Sequence, residues 1–138
     1  MQGLIGPLKE LAEFEELCKN KKKDAGMIRV CGCVNSQKSH MMYAIGDGCK
    51  YKVIACSSET KAKQIYEEYR FLDNNTYLYP AKDFLFYKAD IRSKELVKQR
   101  MEGIQAVLSG EPVTVVTSLD GFMDHLAPKE SIAEKVLK

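Results

Sequence analysis

Histidine, paired-cysteine spacing, long apolar runs and charge imbalance are all scarce in this 138-residue chain. There are two histidines, His40 and His125, far apart in sequence, and none of the five cysteines forms a Cys-x-x-Cys pair. A zinc site is therefore not expected. No secretory signal precedes the first helix, and no run reaches the ~18 apolar residues that a membrane span needs. The formal charge is +2, too balanced to imply nucleic-acid binding by electrostatics alone. The odd number of cysteines and the missing signal point to a reducing cytoplasm. Cys31 and Cys33 lie two apart in an expected strand. A disulfide between them would be strained, and burial as small apolar residues is the expectation.

What is present reads as a folded domain or a piece of one. Hydrophobic residues make up 45% and charged residues 29% of the chain, a globular balance rather than a disordered one. The length suffices for a two- or three-layer core.

The organising stretch is Ile28 to Ser39, IRVCGCVNSQKS. It opens as a β-rich apolar run and closes one residue away from the phosphate-loop pattern G-x-x-x-x-G-K-[ST]. Gly32, Lys38 and Ser39 stand where that pattern wants them. Gln37 stands where the second glycine should be, and Asn35 and Ser36 fill the loop between. Backbone N–H groups of such a loop surround phosphates, the lysine reaches the outer ones, and the hydroxyl binds magnesium.

Around it, the pattern predicts a helix over Leu4–Lys19 with Pro7 in its first turn, ending in a solvated lysine run. Strands are predicted at Met27–Val34, Lys52–Cys56, Thr76–Tyr79 and Val113–Thr117. Helices are predicted at Gln37–Ile45, Glu59–Phe71, from Asp90 or Ser93 to Leu108, and over Leu119–Leu126, with Ser57-Ser58 and Ser118 as caps. Gly110 ends the long helix. A last helical segment covers about Glu130 to Lys138. The aromatic stretch holding Phe84, Phe86 and Tyr87 is read as packing, not base stacking, because no arginines interleave it.

Strands alternating with helices give a βαβ series. The expected fold is α/β: a P-loop NTPase-like three-layer sandwich, with a mainly parallel sheet of about four or five strands and helices on both faces. Residues 1–128 are expected to form this degenerate P-loop subdomain, and residues 129–138 a helical segment leading to a further domain.

Chemistry is harder to find. A nucleotide-hydrolysing loop also needs a metal-holding acid at the end of another strand. The strand ends read Thr117-Ser118, Ser57 and Pro80, with no carboxylate. Asp120 falls in the next helix, as a first-turn dipole partner. No catalytic residue and no metal ligand is assigned. The loop Gly32, Asn35, Ser36, Gln37, Lys38 and Ser39 is read as a vestigial phosphate site. His40 is read as a partly buried structural histidine, and His125 as a helix-end residue.

Four segments together carry a family resemblance: the G-x-x-x-S-x-K loop; Tyr79-Pro80-Ala81-Lys82-Asp83-Phe84-Leu85-Phe86-Tyr87; Ser93-Lys94-Glu95-Leu96-Val97-Lys98-Gln99-Arg100; and Val115-Val116-Thr117-Ser118-Leu119-Asp120-Gly121-Phe122-Met123 with Leu126-Ala127-Pro128. From Leu4 to Pro128 the chain resembles the N-terminal region of the bacterial transcription-repair coupling factors (Mfd), itself similar to the first domain of the excision-repair helicase UvrB. The resemblance implies a parent that is an ATP-dependent DNA translocase. Such a parent displaces stalled RNA polymerase and recruits UvrA for nucleotide excision repair. ATP and magnesium are then expected in the parent's motor domains, with no cofactor in this region. UvrA, RNA polymerase and DNA are partners of the full-length protein, not clearly of this region, which is expected to be a non-catalytic scaffold against its own downstream domains. The alternative is a small stand-alone nucleotide-binding protein with a variant loop.

Overall fold

The computed structural model describes residues 2–22, 26–34, 36–82, 90–126 and 128. Asn35, the aromatic stretch with Phe84, Phe86 and Tyr87, and the expected Glu130–Lys138 helix with its boundary lie outside these residues. The chain divides into two compact units, Met1–Gly48 and Cys49–Lys138.

The first unit is helical. Helices α1 (Gln2–Lys9), α2 (Ala12–Lys22) and α3 (Ser36–Ile45) share a core in which Ile5, Phe14 and Ala44 are buried, with Leu8, Cys18 and Met41 packed against them. The single helix expected over Leu4–Lys19 is two helices. Ile5 and Phe14 are nine positions apart, so at about 100° per residue an unbroken helix would turn them to opposite sides. The turn at Glu10–Leu11, where the Leu11 N–H meets the Leu8 carbonyl at 3.1 Å, brings both into one core. Pro7 consequently lies inside α1.

Met27–Val34 is not a strand: the segment is irregular and pairs with no strand among the described residues. Met27 is 96% and Val34 60% exposed. A β-rich composition marks a segment that suits a pleated, half-buried surface, but only a ladder partner makes it a strand. Cys31 is exposed and Cys33 half-buried, so the expected burial of the pair fails with the strand; all five cysteines are free thiols.

The second unit holds the sheet. Strands β1 (Tyr51–Cys56), β2 (Thr76–Tyr79) and β3 (Val113–Ser118) alternate with helices α4 (Glu59–Tyr69), α5 (Asp90–Leu108) and α6 (Leu119–Met123). All pairings are parallel and the order is β1-β3-β2. The protein is thus α/β with a small parallel sheet of three strands among the described residues, not four or five. The path from β1 to β2 crosses the sheet one way and the path from β2 to β3 returns, so right-handed crossovers put α4 and α5 on opposite faces.

The two faces are covered unequally. The face of Thr114, Val116 and Ser118 is sealed, these residues being fully buried with Ala62 of α4. On the other face, Gly103 of α5 rests on Tyr77 and Tyr79, leaving the β1 side open. There Val53, Val115, Ile104, Val107, Phe122 and Leu126 line an apolar groove of about 390 Å³.

One carboxylate closes the N-terminal edge of the sheet. Asp73 Oδ2 accepts from Lys52 Nζ on β1 at 2.8 Å and from Thr114 Oγ1 on β3 at 2.9 Å. Its main-chain oxygen accepts from Thr76 Oγ1 on β2 at 2.6 Å. No helix among the described residues is long and apolar enough to cross a membrane.

Candidate functional site

The loop that resembles a phosphate site can be followed residue by residue. Gly32 has φ of +87°, in the region that favours glycine. Ser36 opens α3, and Gln37 follows in its first turn. The Gln37 side chain turns back: its Oε1 accepts from the Val34 N–H at 3.3 Å, while the Gln37 N–H donates to the Val34 carbonyl at 3.0 Å. The Gln37 side chain thus satisfies the Val34 N–H from within the chain, as the Gln of a capping box does for the residue three before it, while the Gln37 N–H closes a main-chain turn. A residue in the second-glycine position therefore takes up one of the N–H groups that a phosphate loop would aim at its ligand. Lys38 is exposed, but Ser39 is only 2% exposed.

A second set of polar residues gathers elsewhere, by a rule the sequence does not display residue by residue. In a parallel sheet every strand leaves at the same edge, so the residues just after β1, β2 and β3 meet in space. Here they are Glu59, Pro80-Ala81-Lys82, and Asp120 with Asp124, which with Leu96 and Met123 line a crevice of about 700 Å³. No acid follows β3 directly, but Glu59 from the first turn of α4 stands against Ser118. The Ser118 hydroxyl donates to Glu59 Oε1 and itself accepts from the Gly121 N–H at 3.0 Å, capping α6. Ser58 likewise caps α4, accepting from the Lys61 N–H at 3.3 Å.

The exit of β2 is held by three side chains. Ala81 N–H donates to Glu59 Oε1 at 3.0 Å, and Lys82 N–H to Asp124 Oδ2 at 3.0 Å. Arg100 of α5 donates to the Pro80 carbonyl at 2.6 Å and to Asp124 Oδ2 at 2.8 Å, and through its other terminal nitrogen to the Tyr79 hydroxyl. Its guanidinium carbon lies 4.2 Å from the Tyr79 ring centre, a cation–π contact. Arg100 is only 9% exposed, a depth tolerated because its charge is paired and its donors used.

The electrostatics follow. Burial pushes the Asp124 carboxyl up, but the Lys82 N–H, the Arg100 hydrogen bond and both positive charges outweigh it and hold the group below the usual carboxylate range. Burial raises the Tyr79 phenol, which Arg100 only partly offsets. Burial also raises the Cys56 thiol at the end of β1, which keeps it protonated and unreactive.

Asp120 is exposed in the first turn of α6, where a carboxylate complements the helix dipole. His40 is half-buried and His125 exposed. Among the described residues no group of three or more His, Cys, Asp or Glu side chains could hold a metal ion. The vestigial-loop residues lie in the first unit and the strand-end residues in the second. Glu59, Arg100 and Asp124 were not singled out from sequence as site residues; their positions a few residues past a strand, or facing one from a helix, are the signal that finds them. Comparison with protein families, curated proteins and solved structures finds no match for this chain.

Proposed function

We propose that this chain is a non-catalytic scaffold, the UvrB-like first subdomain of a transcription-repair coupling factor, built as a P-loop NTPase-like sandwich whose nucleotide loop has lapsed. In this reading DNA repair is the work of the whole cytoplasmic parent. Its motor domains bind ATP and magnesium, and its other regions meet UvrA, RNA polymerase and DNA. This region holds its neighbours in the same chain in place.

The observation that carries the loss of catalysis is Gln37 hydrogen-bonded to the Val34 N–H. It ties up from within the chain one N–H of the loop ahead of α3, where a working loop keeps its N–H groups open to phosphate. The ordered series of four sequence segments supports the family. The strand-end carboxylates Glu59 and Asp124 are engaged by Ser118, Ala81, Lys82 and Arg100, which leaves them poorly suited to hold magnesium.

A fluorescent ATP analogue with magnesium tests the lapse: no saturable binding is expected. Micromolar binding abolished by Lys38→Ala would overturn it and favour the stand-alone nucleotide-binding protein. The reading frame beyond Lys138 tests the family: it is expected to continue into intact helicase motifs, and a stop codon there would sink the assignment.

A further inference from the structure

The crevice at the strand ends has a feature the scaffold reading does not need. Asp124 Oδ2 is the meeting point of two donors from different elements, Arg100 Nη1 at 2.8 Å and the Lys82 N–H at 3.0 Å. The Lys82 ammonium is close by, donating to the His125 carbonyl at 3.3 Å. A buried guanidinium converging with a main-chain N–H is the equipment with which proteins bind carboxylate and phosphate oxygens. It lies on the carboxyl edge of a parallel sheet, where α/β proteins place their ligands. Each donor element has an anchor besides Asp124. Arg100 is fixed by the Pro80 carbonyl and the Tyr79 hydroxyl, and the Lys82 backbone by the adjacent Ala81 N–H bond to Glu59.

We propose that Arg100 and the Lys82 main chain form an oxyanion-binding site, and that Asp124 closes it as an autoinhibitory contact which a phosphate or carboxylate group of a ligand can replace. Lys82 and Asp124 line the crevice, and the acidic residues lining it beside them set the limits of what fits. Glu59 is occupied by Ser118 and Ala81, and Asp120 is exposed at the rim. Both disfavour a polyanion, so the site takes a single phosphoryl or carboxylate group. The crevice, at about 700 Å³, has room for the molecule carrying it.

Asp124→Ala tests this by vacating the position while leaving both donors. The variant is expected to melt below the intact protein. Sodium phosphate or acetate at ~50 mM should then raise its midpoint by about 9 °C, as mass action predicts for a ligand near 100 times its Kd. Sodium chloride at equal ionic strength should not, and the intact protein should respond to none of the three. Asp124→Ala combined with Arg100→Met should lose the response. A larger response to phosphate assigns the site to phosphoryl groups, and a larger one to acetate assigns it to carboxylates such as acidic side chains. If Asp124→Ala does not fold in chloride, recovery of the folded state in phosphate or acetate is the expected result, and Asp124→Ser repeats the titration. A folded vacated variant that responds no more than the intact protein, or as strongly without Arg100, overturns the proposal. That outcome leaves the scaffold reading intact, because the scaffold reading rests on Gln37 and the family segments.

Discussion

Lys52 and Asp73 sit 2.8 Å apart at the amino edge of the sheet, each with a side chain only 18% exposed. The pair joins β1 to the turn that precedes β2, and Thr114 of β3 completes the knot on the same carboxylate oxygen. Three strands are registered against one another at a single group. A slip of one residue in any of them would break a charged contact as well as invert its faces.

Removing that carboxylate is expected to be costly. Asp73→Ala leaves Lys52 without its partner and the Thr114 hydroxyl and the Asn75 N–H without their acceptor, and should cost about 2–4 kcal/mol in urea denaturation. Asp73→Asn keeps part of the hydrogen bonding and should cost about half as much. A loss under ~0.5 kcal/mol for the alanine variant would show that the knot is decorative.

The same residue sets an acid limit. Burial alone would raise the Asp73 carboxyl, but hydrogen bonds from Lys52, Thr114 and the Asn75 N–H, with the Lys52 charge, hold it below its ordinary value. A carboxyl depressed in the folded state stabilises fully above its unfolded value of about 3.9, and that stability drains away as pH falls through the folded value. Melting points measured from pH 6 to pH 2 should therefore fall steeply below about pH 4. In Asp73→Asn that part of the decline should be missing, leaving the contribution of Asp124, which has the same sign.

Two glycines should answer oppositely to alanine. A Cβ on Gly121 would stand 2.6 Å from Thr117 Oγ1, 3.1 Å from the Ala81 nitrogen and 3.2 Å from the Tyr79 oxygen. The last two are main-chain atoms that cannot step aside, so Gly121→Ala should destabilise by about 1–3 kcal/mol. A Cβ on Gly103, inside α5, would meet only ordinary contacts at 3.7 and 3.9 Å, and Gly103→Ala should stabilise by about 0.5–1 kcal/mol through helix propensity. Thermal denaturation of the two variants side by side checks both signs.

The serine caps should differ in the same measurement. Ser58→Ala removes an exposed cap and should cost about 1 kcal/mol. Ser118→Ala removes a cap and also strips Glu59 of its hydroxyl partner. Its cost should be roughly twice as large, and equal costs would mean that the Glu59 contact contributes nothing.

Gln37→Gly should free the Val34 N–H without producing ATP turnover, because the strand-end carboxylates Glu59 and Asp124 are already engaged. Phosphate release above background from that variant would show that a metal ligand had been overlooked.

Elements with strong local signals were legible in the sequence. Thr76–Tyr79, stopped by Pro80, and the helix ended by Gly110, whose φ is +78°, stand where the pattern put them. So do the caps Ser58 and Ser118. What failed depended on partners distant in sequence. Ile28, Val30 and Val34 carry strand-like chemistry, but composition does not say whether another strand lies alongside. Ile5 and Phe14 fit one apolar stripe only after a turn resets the helical phase. The site suffered from the same blindness. The acid at the end of β3 comes from Glu59, 59 residues before Ser118. Only the strand order reveals that these two residues are neighbours.

That order also governs how the protein is born. β3, the strand to which both others pair, is the last of the three to be synthesised. While the chain grows, β1 and β2 emerge with nothing between them, since neither bonds to the other. At about 5–20 residues per second, the wait from β1 to the end of β3 lasts several seconds, with the apolar YKVIAC strand unpaired. The sheet then closes in one late event, when Thr114 reaches Asp73. A nascent chain arrested before Val113 would carry α1 to α5 and, among the described residues, no paired strand.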